Sequence, residues 1–209
     1  MSINFGSLEN PTAVSSASAA ANGISLDLNK GDILDITKRS PGLTKVRLGA
    51  GWDAAVAGET FDLDISAFLL NSNGKITSGS DVVFFNNKTA PGVTLNGDNR
   101  TGAGEGDDET IDIDLSAVSP NVEKIVFVVV IDKAQAKRQT FGMINNAYVR
   151  LINTAAGDTE LCRFILKDDY STDTGVIFAE LARNGAEWEF KAVGEGKQGD
   201  LNTFAGMYQ

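Results

Sequence analysis

Apolar and polar residues alternate in short runs along most of this chain, the two-residue period of strands with one buried face. In "TFDLDISAFLL", Phe61, Leu63 and Ile65 point one way while Asp62, Asp64 and Ser66 point the other. "ETIDIDLS" repeats the pattern, with Ile111, Ile113 and Leu115 opposite Asp112 and Asp114. "EKIVFVVVI" is apolar nearly throughout and rich in β-branched side chains, which predicts a central strand covered on both faces. "LTKVRLGAGWD", "DVVFF", "AYVRLIN" and "ELCRFIL" read as further strands.

Turn signals divide these runs. Lys30-Gly31-Asp32, inside "ISLDLNKGDILDIT", predicts a hairpin between the flanking apolar segments. Asn184-Gly185 predicts another, because both residues tolerate the positive φ of a tight turn. Helix signals are few. "DKAQAKRQTFGMI" predicts a helix capped by Asp132, with Phe141 and Ile144 on its apolar side. "DLNTFAGMY" predicts a short closing helix. The pattern as a whole predicts an all-β fold, a two-sheet β-sandwich with a few short helices. One domain is expected over 23–209, preceded by a flexible Ser/Ala-rich extension over 1–22.

Charge narrows the partners. With 28 acids against 18 bases the net charge is −10, which argues against nucleic acid or an anionic membrane and is compatible with a cation. The N-terminus has neither a basic start nor a long apolar run, so no signal peptide or membrane insertion is expected and the compartment predicted is the cytoplasm. Histidine is absent, which removes the usual general base and the usual zinc ligand together. Cys162 is the one cysteine and reads as a small buried hydrophobe in "ELCRFIL".

The unusual stretch is "GDNRTGAGEGDDE", from Gly97 to Glu109, where three consecutive acids follow a glycine-rich loop. A phosphate cradle does not fit: the spacing matches neither nucleotide-loop pattern, no lysine follows, and the acids would repel phosphate. A solvated loop remains one reading. A calcium site is the other. Ca²⁺ takes six to eight oxygens, and Asp98, Asn99, Glu105, Asp107, Asp108 and Glu109 offer them. The positions do not follow the EF-hand. Asp62 and Asp64, roughly 7 Å apart along one strand face, supply a second wall that serves one cation or flanks two. Oxygen-only donors favour Ca²⁺ over transition metals.

The same stretches carry a family resemblance. "LGAGWD", "FDLDIS", "GDNRTGAGEGDDE", "RQTFGMI" and "GAEWEFKAVGEG" occur in an order that resembles the tellurium-resistance family typified by TerD, from about Ile24 to Gly196. "DIS" stands where "DAS" is expected, and the first twenty or so residues are an extension. The resemblance implies a β-sandwich that binds Ca²⁺, often two neighbouring ions, in bacterial systems that resist tellurite, phage and chemical stress. It implies the ligands Asp62, Asp64, Asp98, Asn99, Glu105, Asp107, Asp108 and Glu109, with backbone carbonyls around Gly102 and Gly104. It also implies protein partners from the same stress-resistance system. "KDDYSTDT" resembles a later acidic loop, with Asp168 and Asp169 as further candidates or as solvated surface.

The expectation is a non-enzymatic Ca²⁺ module whose bound ions order the fold and present a partner surface. One alternative is a Ca²⁺-mediated small-ligand or carbohydrate-binding module with Trp52 and Trp188 as a platform. Another is a metal-assisted hydrolase using Asp107, Asp108 and Glu109.

Overall fold

The apolar run of "EKIVFVVVI" lies where its composition predicts, in the middle of a sheet covered on both sides. The computed structural model describes residues 25–54, 60–97, 106–168 and 170–209. Its strands, in chain order, are β1 (Leu26–Leu28), β2 (Ile33–Asp35), β3 (Lys45–Ala54), β4 (Leu63–Leu70), β5 (Val82–Val83), β6 (Thr89–Ala90) and β7 (Val93–Leu95). There follow β8 (Glu109–Asp114), β9 (Lys124–Ile131), β10 (Ile144–Asn153), β11 (Thr159–Ile165), β12 (Gly175–Asn184) and β13 (Glu187–Lys197). The α-helices are single turns: α1 (Ile36–Arg39), α2 (Ala134–Lys137) and α3 (Leu201–Ala205).

These strands form two sheets, as the alternation predicts. The first has the order β1-β11-β10-β3-β8-β7-β6 and the second β2-β13-β12-β9-β4-β5. Leu63 and Ile65 of β4, with Phe61 just ahead of it, and Leu48, Ile111 and Ile113 from the other sheet fill the space between, all essentially inaccessible. Asp112 and Asp114 face outward, paired with Arg47 and Lys45 across the strand pair β3–β8.

The outer face of the second sheet is covered as well. Phe68, Val126, Val128, Val130 and Ile177 form a separate apolar cluster with Phe204 of α3. This second cluster explains why β9 shows no alternation: both of its faces are buried. The closing helix lies at the predicted position, with Asp200 accepting a bond from the Thr203 amide as its cap.

Two local expectations change. The turn at Lys30-Gly31 exists, with Gly31 at φ 89°, but its flanking strands are not a hairpin. β1 pairs in parallel with β11 in the first sheet, and β2 pairs antiparallel with β13 in the second. A turn signal reports a change of direction and says nothing about which edge each arm joins. The predicted helix over 132–144 shrinks to α2, because Lys133 and Arg138 adopt left-handed φ of 52° and 54° and bracket a single turn. Asp132 does not cap it; its carboxylate bonds Lys133 and Lys137 instead. Phe141 and Ile144 are buried as expected, Phe141 in a 3₁₀ turn and Ile144 at the start of β10. The hairpin β12–β13 turns on Gly185-Ala186, one position later than the Asn-Gly pair suggests, with Gly185 at φ 65°.

Candidate metal centre

The acid run ends where β8 begins, at Glu109. Alternation places Glu109 in phase with Ile111 and Ile113, so its side chain enters the sandwich and is 3% exposed. A carboxylate there needs a donor. Glu109 Oε2 accepts the Ile65 amide of β4 at 2.6 Å, from the opposite sheet. That amide faces an open edge, because β5 pairs only with Ala67 and Phe68. Asp108 is held on the other side: its amide donates to Ala50 O at 2.8 Å, and its Oδ2 accepts the Trp52 amide at 3.0 Å. Trp52 Nε1 in turn donates to Phe61 O at 3.3 Å.

These bonds bring the two sequence motifs together. Glu109 reaches the residue after Asp64, and Asp108 is linked through Trp52 to the residue before Asp62. Asp62 itself is fixed by its carbonyl, which accepts the Asp132 amide at 2.8 Å, and Gln139 Nε2 bonds Thr60 O at 3.0 Å just ahead of it. Asp62 and Asp64 are both half-buried. Among the described residues no three acids converge on one point. Asp98, Asn99, Gly102, Gly104 and Glu105 lie outside the described residues.

Asp107 points elsewhere. Both of its oxygens meet the Arg150 guanidinium, at 2.7 Å to Nε and 3.0 Å to Nη2, and the Tyr148 hydroxyl donates to Oδ1 at 3.1 Å. The same hydroxyl lies 2.8 Å from Gly106 O. Arg150 Nη1 continues to Glu160 at 3.0 Å, and Glu160 also accepts from Arg163 and from Ser25 Oγ. The Arg163 guanidinium stacks 4.4 Å from the Tyr148 ring centre.

Protonation follows this wiring. The hydrogen bonds to Asp107 raise Arg150 further above its ordinary range. Burial, then the charge of Asp107, pushes the Tyr148 phenol up to about 12. Burial would raise the Glu160 carboxyl, but bonds from Arg163, Ser25 and Arg150 outweigh it and bring it down to about 2. Arg150, Glu160 and Tyr148 thus keep their ordinary neutral-pH charge, and the bonds among them form a fixed scaffold.

The donor set suits a hard cation. Among the described residues Asp108 and Glu109 present carboxylate oxygens held by backbone amides, the donor type that hard cations take. Sequence reasoning pairs the acid run with the Asp62–Asp64 strand but misses Arg150 and Tyr148. Alternation in "AYVRLIN" puts both on one face; nothing local names their partner. It also places Glu109 with the acids of the loop, although its phase with Ile111 signals an inward position.

Other candidates resolve differently. Trp52 and Trp188 are 5% and 3% exposed, so neither forms a surface platform. Asp168 pairs with Lys30 at 2.8 Å on the surface, and Asp169 lies outside the described residues. A cleft of about 170 Å³ is lined by Phe141, Ile144, Asn146 and Tyr170, among others, and by no member of the acid run. Cys162 is fully buried, and burial pushes its thiol up to about 12. Among the described residues no helix is long and apolar enough to cross a membrane.

Known proteins match this architecture closely. Residues 24–208 match the TerD domain family. Tellurium resistance protein TerD of Serratia marcescens is 47% identical over 188 residues, spanning 88% of this chain and 97% of its own. General stress protein 16U of Bacillus subtilis is 45% identical over 189 residues, with the same 88% and 97%. Among solved structures, a homologue of telluride resistance protein (TerD), SCO6318 from Streptomyces coelicolor A3(2), aligns at 26% identity with a TM-score of 0.62. That alignment covers 78% of this chain and 96% of the other. SAV2460, a protein of unknown function, aligns at 30% identity and a TM-score of 0.63 over 78% and 95% of the two chains. The relatives' names are those of resistance and stress proteins, not of enzymes. Likeness of this extent, over nearly the full length of each relative, makes the chain a member of the TerD family of tellurium-resistance and stress proteins.

Proposed function

We propose that this protein is a non-enzymatic Ca²⁺-binding module of the stress-resistance type, taking two ions between the 98–109 loop and the strand that carries Asp62 and Asp64. The observation supporting this reading is the pair of bridges, Glu109 to Ile65 and Asp108 to Trp52, that set the end of the acid run against that strand. Asp62, Asp64, Asp98, Asn99, Glu105, Asp108 and Glu109 would hold the ions, with backbone carbonyls of Gly102 and Gly104. Asp107, whose two oxygens meet Arg150, is left out of the ligand set. Bound Ca²⁺ would supply charge neutralisation, ordering a loop whose carboxylates otherwise repel one another. The ordered loop presents a surface to protein partners of the same resistance system, in the cytoplasm.

Calorimetric titration of chelator-stripped protein with CaCl₂, repeated with MgCl₂, tests this. Two Ca²⁺ per chain with weak Mg²⁺ binding is the expected result. A ligand at a hundred times its Kd adds about 2.7 kcal/mol to stability, so Ca²⁺ raises the melting temperature. Asp98→Asn or Asp108→Asn removes most of that rise, while Asp112→Asn, on the outward pair with Arg47, leaves it intact. Equal effects at all three positions, or no heat at all, would reject the site.

A further inference from the structure

The cation reading gives the "LGAGWD" stretch no role, yet its two glycines stand opposite the residues that grip the acid run. Across the β3–β10 pair, Gly49 is the partner of Arg150 and Gly51 the partner of Tyr148. Neither glycine has positive φ among those that do, so freedom of the backbone is not what the positions require. They require room. A Cβ on Gly49 would lie 2.1 Å from Asp107 Oδ2, and one on Gly51 would lie 2.6 Å from the Tyr148 ring.

The Asp107 side chain therefore leaves the chain just ahead of β8, crosses β3 through the gap left by Gly49, and meets Arg150 on β10. The carboxylate is 8% exposed and the guanidinium 26%, so this two-bond pair is far drier than a surface ion pair. Glu160 holds Arg150 from its other side, and Arg163 and Ser25 hold Glu160. The guanidinium is thus held by Glu160 as well as by Asp107.

We infer that Arg150, seated over the slot made by Gly49 and Gly51, is the positioning residue of the acid run, and that Asp107 is its anchor rather than a metal ligand. The clamp fixes the loop's C-terminal root, where Asp108 donates its amide to Ala50 O and accepts the Trp52 amide. Such preorganisation removes part of the ordering cost that binding would otherwise carry. This inference rests on the Ca²⁺ reading above for its affinity arm only.

The sign of one change separates anchor from ligand. If Arg150 merely competed with a cation for Asp107, removing it would tighten binding. As an anchor, its removal weakens binding. Arg150→Met is compared with the unaltered protein by amide hydrogen exchange without metal and by titration with Ca²⁺ alone. Exchange at the Asp108 amide should rise about tenfold while that of Phe127 in the core stays put, and Ca²⁺ affinity should fall about tenfold, as for other outer-shell supports of metal sites. Gly49→Ala, which fills the slot but keeps both charges, should reproduce both effects. Arg150→Lys should recover only part, because an ammonium cannot make the two-bond fork. Unchanged Asp108 exchange in Arg150→Met and Gly49→Ala, or tighter Ca²⁺ binding in Arg150→Met, overturns the inference. Should the unaltered protein bind no Ca²⁺, the cation reading fails, and the Asp108 exchange alone decides whether the anchor stands.

Discussion

Glu109 Oε2 sits 2.6 Å from the Ile65 amide, so one side chain of the first sheet completes the edge of a strand in the second. Backbone edges in sandwiches are normally closed by another strand or by water. Here a carboxylate closes it from inside the core. Glu109→Ala leaves the Ile65 amide buried without an acceptor and is expected to cost about 1–3 kcal/mol in metal-free protein. Glu109→Gln keeps an acceptor oxygen and should cost less. Urea denaturation of both variants in the presence of chelator measures the order, and equal losses would show that the bond contributes little.

The cluster beneath α3 is the second load on the sheet. Phe204 is completely buried against it, and a Cβ on Gly175 would lie 2.3 Å from the Phe204 ring. Phe204→Ala should therefore cost about 3–5 kcal/mol. Gly175→Ala should destabilise by forcing the ring outward, and the two substitutions together should lose less than the sum of each alone, since they act on one contact. Thermal melts of the three variants test this; strict additivity would contradict the packing described.

Glu160 gives a pH dependence with a definite sign. Its carboxyl titrates at about 2 in the folded protein against an ordinary 4.5, with burial outweighed by the bonds from Arg163, Ser25 and Arg150. The unfolded chain therefore takes up this proton first as the pH falls. The stabilisation is complete above about 4.5 and disappears as the pH approaches 2, on the order of 1–3 kcal/mol. Glu160→Gln removes that dependence, so the stability gap between the two proteins should narrow steadily across this range. A gap that stays constant from pH 6 to pH 2.5 would contradict the assignment.

Much of the sandwich is legible in single residues. Phe61, Leu63 and Ile65 against Asp62 and Asp64, or Ile111 and Ile113 against Asp112 and Asp114, report a buried and a polar face directly. The unbroken apolar run of β9 reports a strand buried twice. What the chain does not announce is pairing at a distance. Nothing near Lys30 states that the arms of its turn join different sheets. Good helix formers at 134–138 could not extend α2, because Lys133 and Arg138 must turn the backbone at each end. The site divides in the same way. The acid run and the Asp62–Asp64 strand stand out by composition, but the bonds that set them together, Glu109 to Ile65 and Asp108 to Trp52, have no local signal. The Arg150–Asp107 pair joins positions 43 residues apart, and only the register of β10 on β3 reveals it.

The crossing of the chain between sheets at Lys30-Gly31 has a consequence for biosynthesis. Both arms of that turn are made early, yet Leu26 waits for Cys162 and Leu34 waits for Phe190 before either finds its neighbour. Closing such distant pairs is the slow part of folding a β protein. The segment from Leu26 to Asp35 emerges from the ribosome without its partners and stays so until β11 and β13 have followed it. Lys30 and Asp32 at the turn, and Asp27 and Asp35 in its two arms, keep this waiting segment charged, which suits a strand that must spend its first seconds alone without pairing to a stranger.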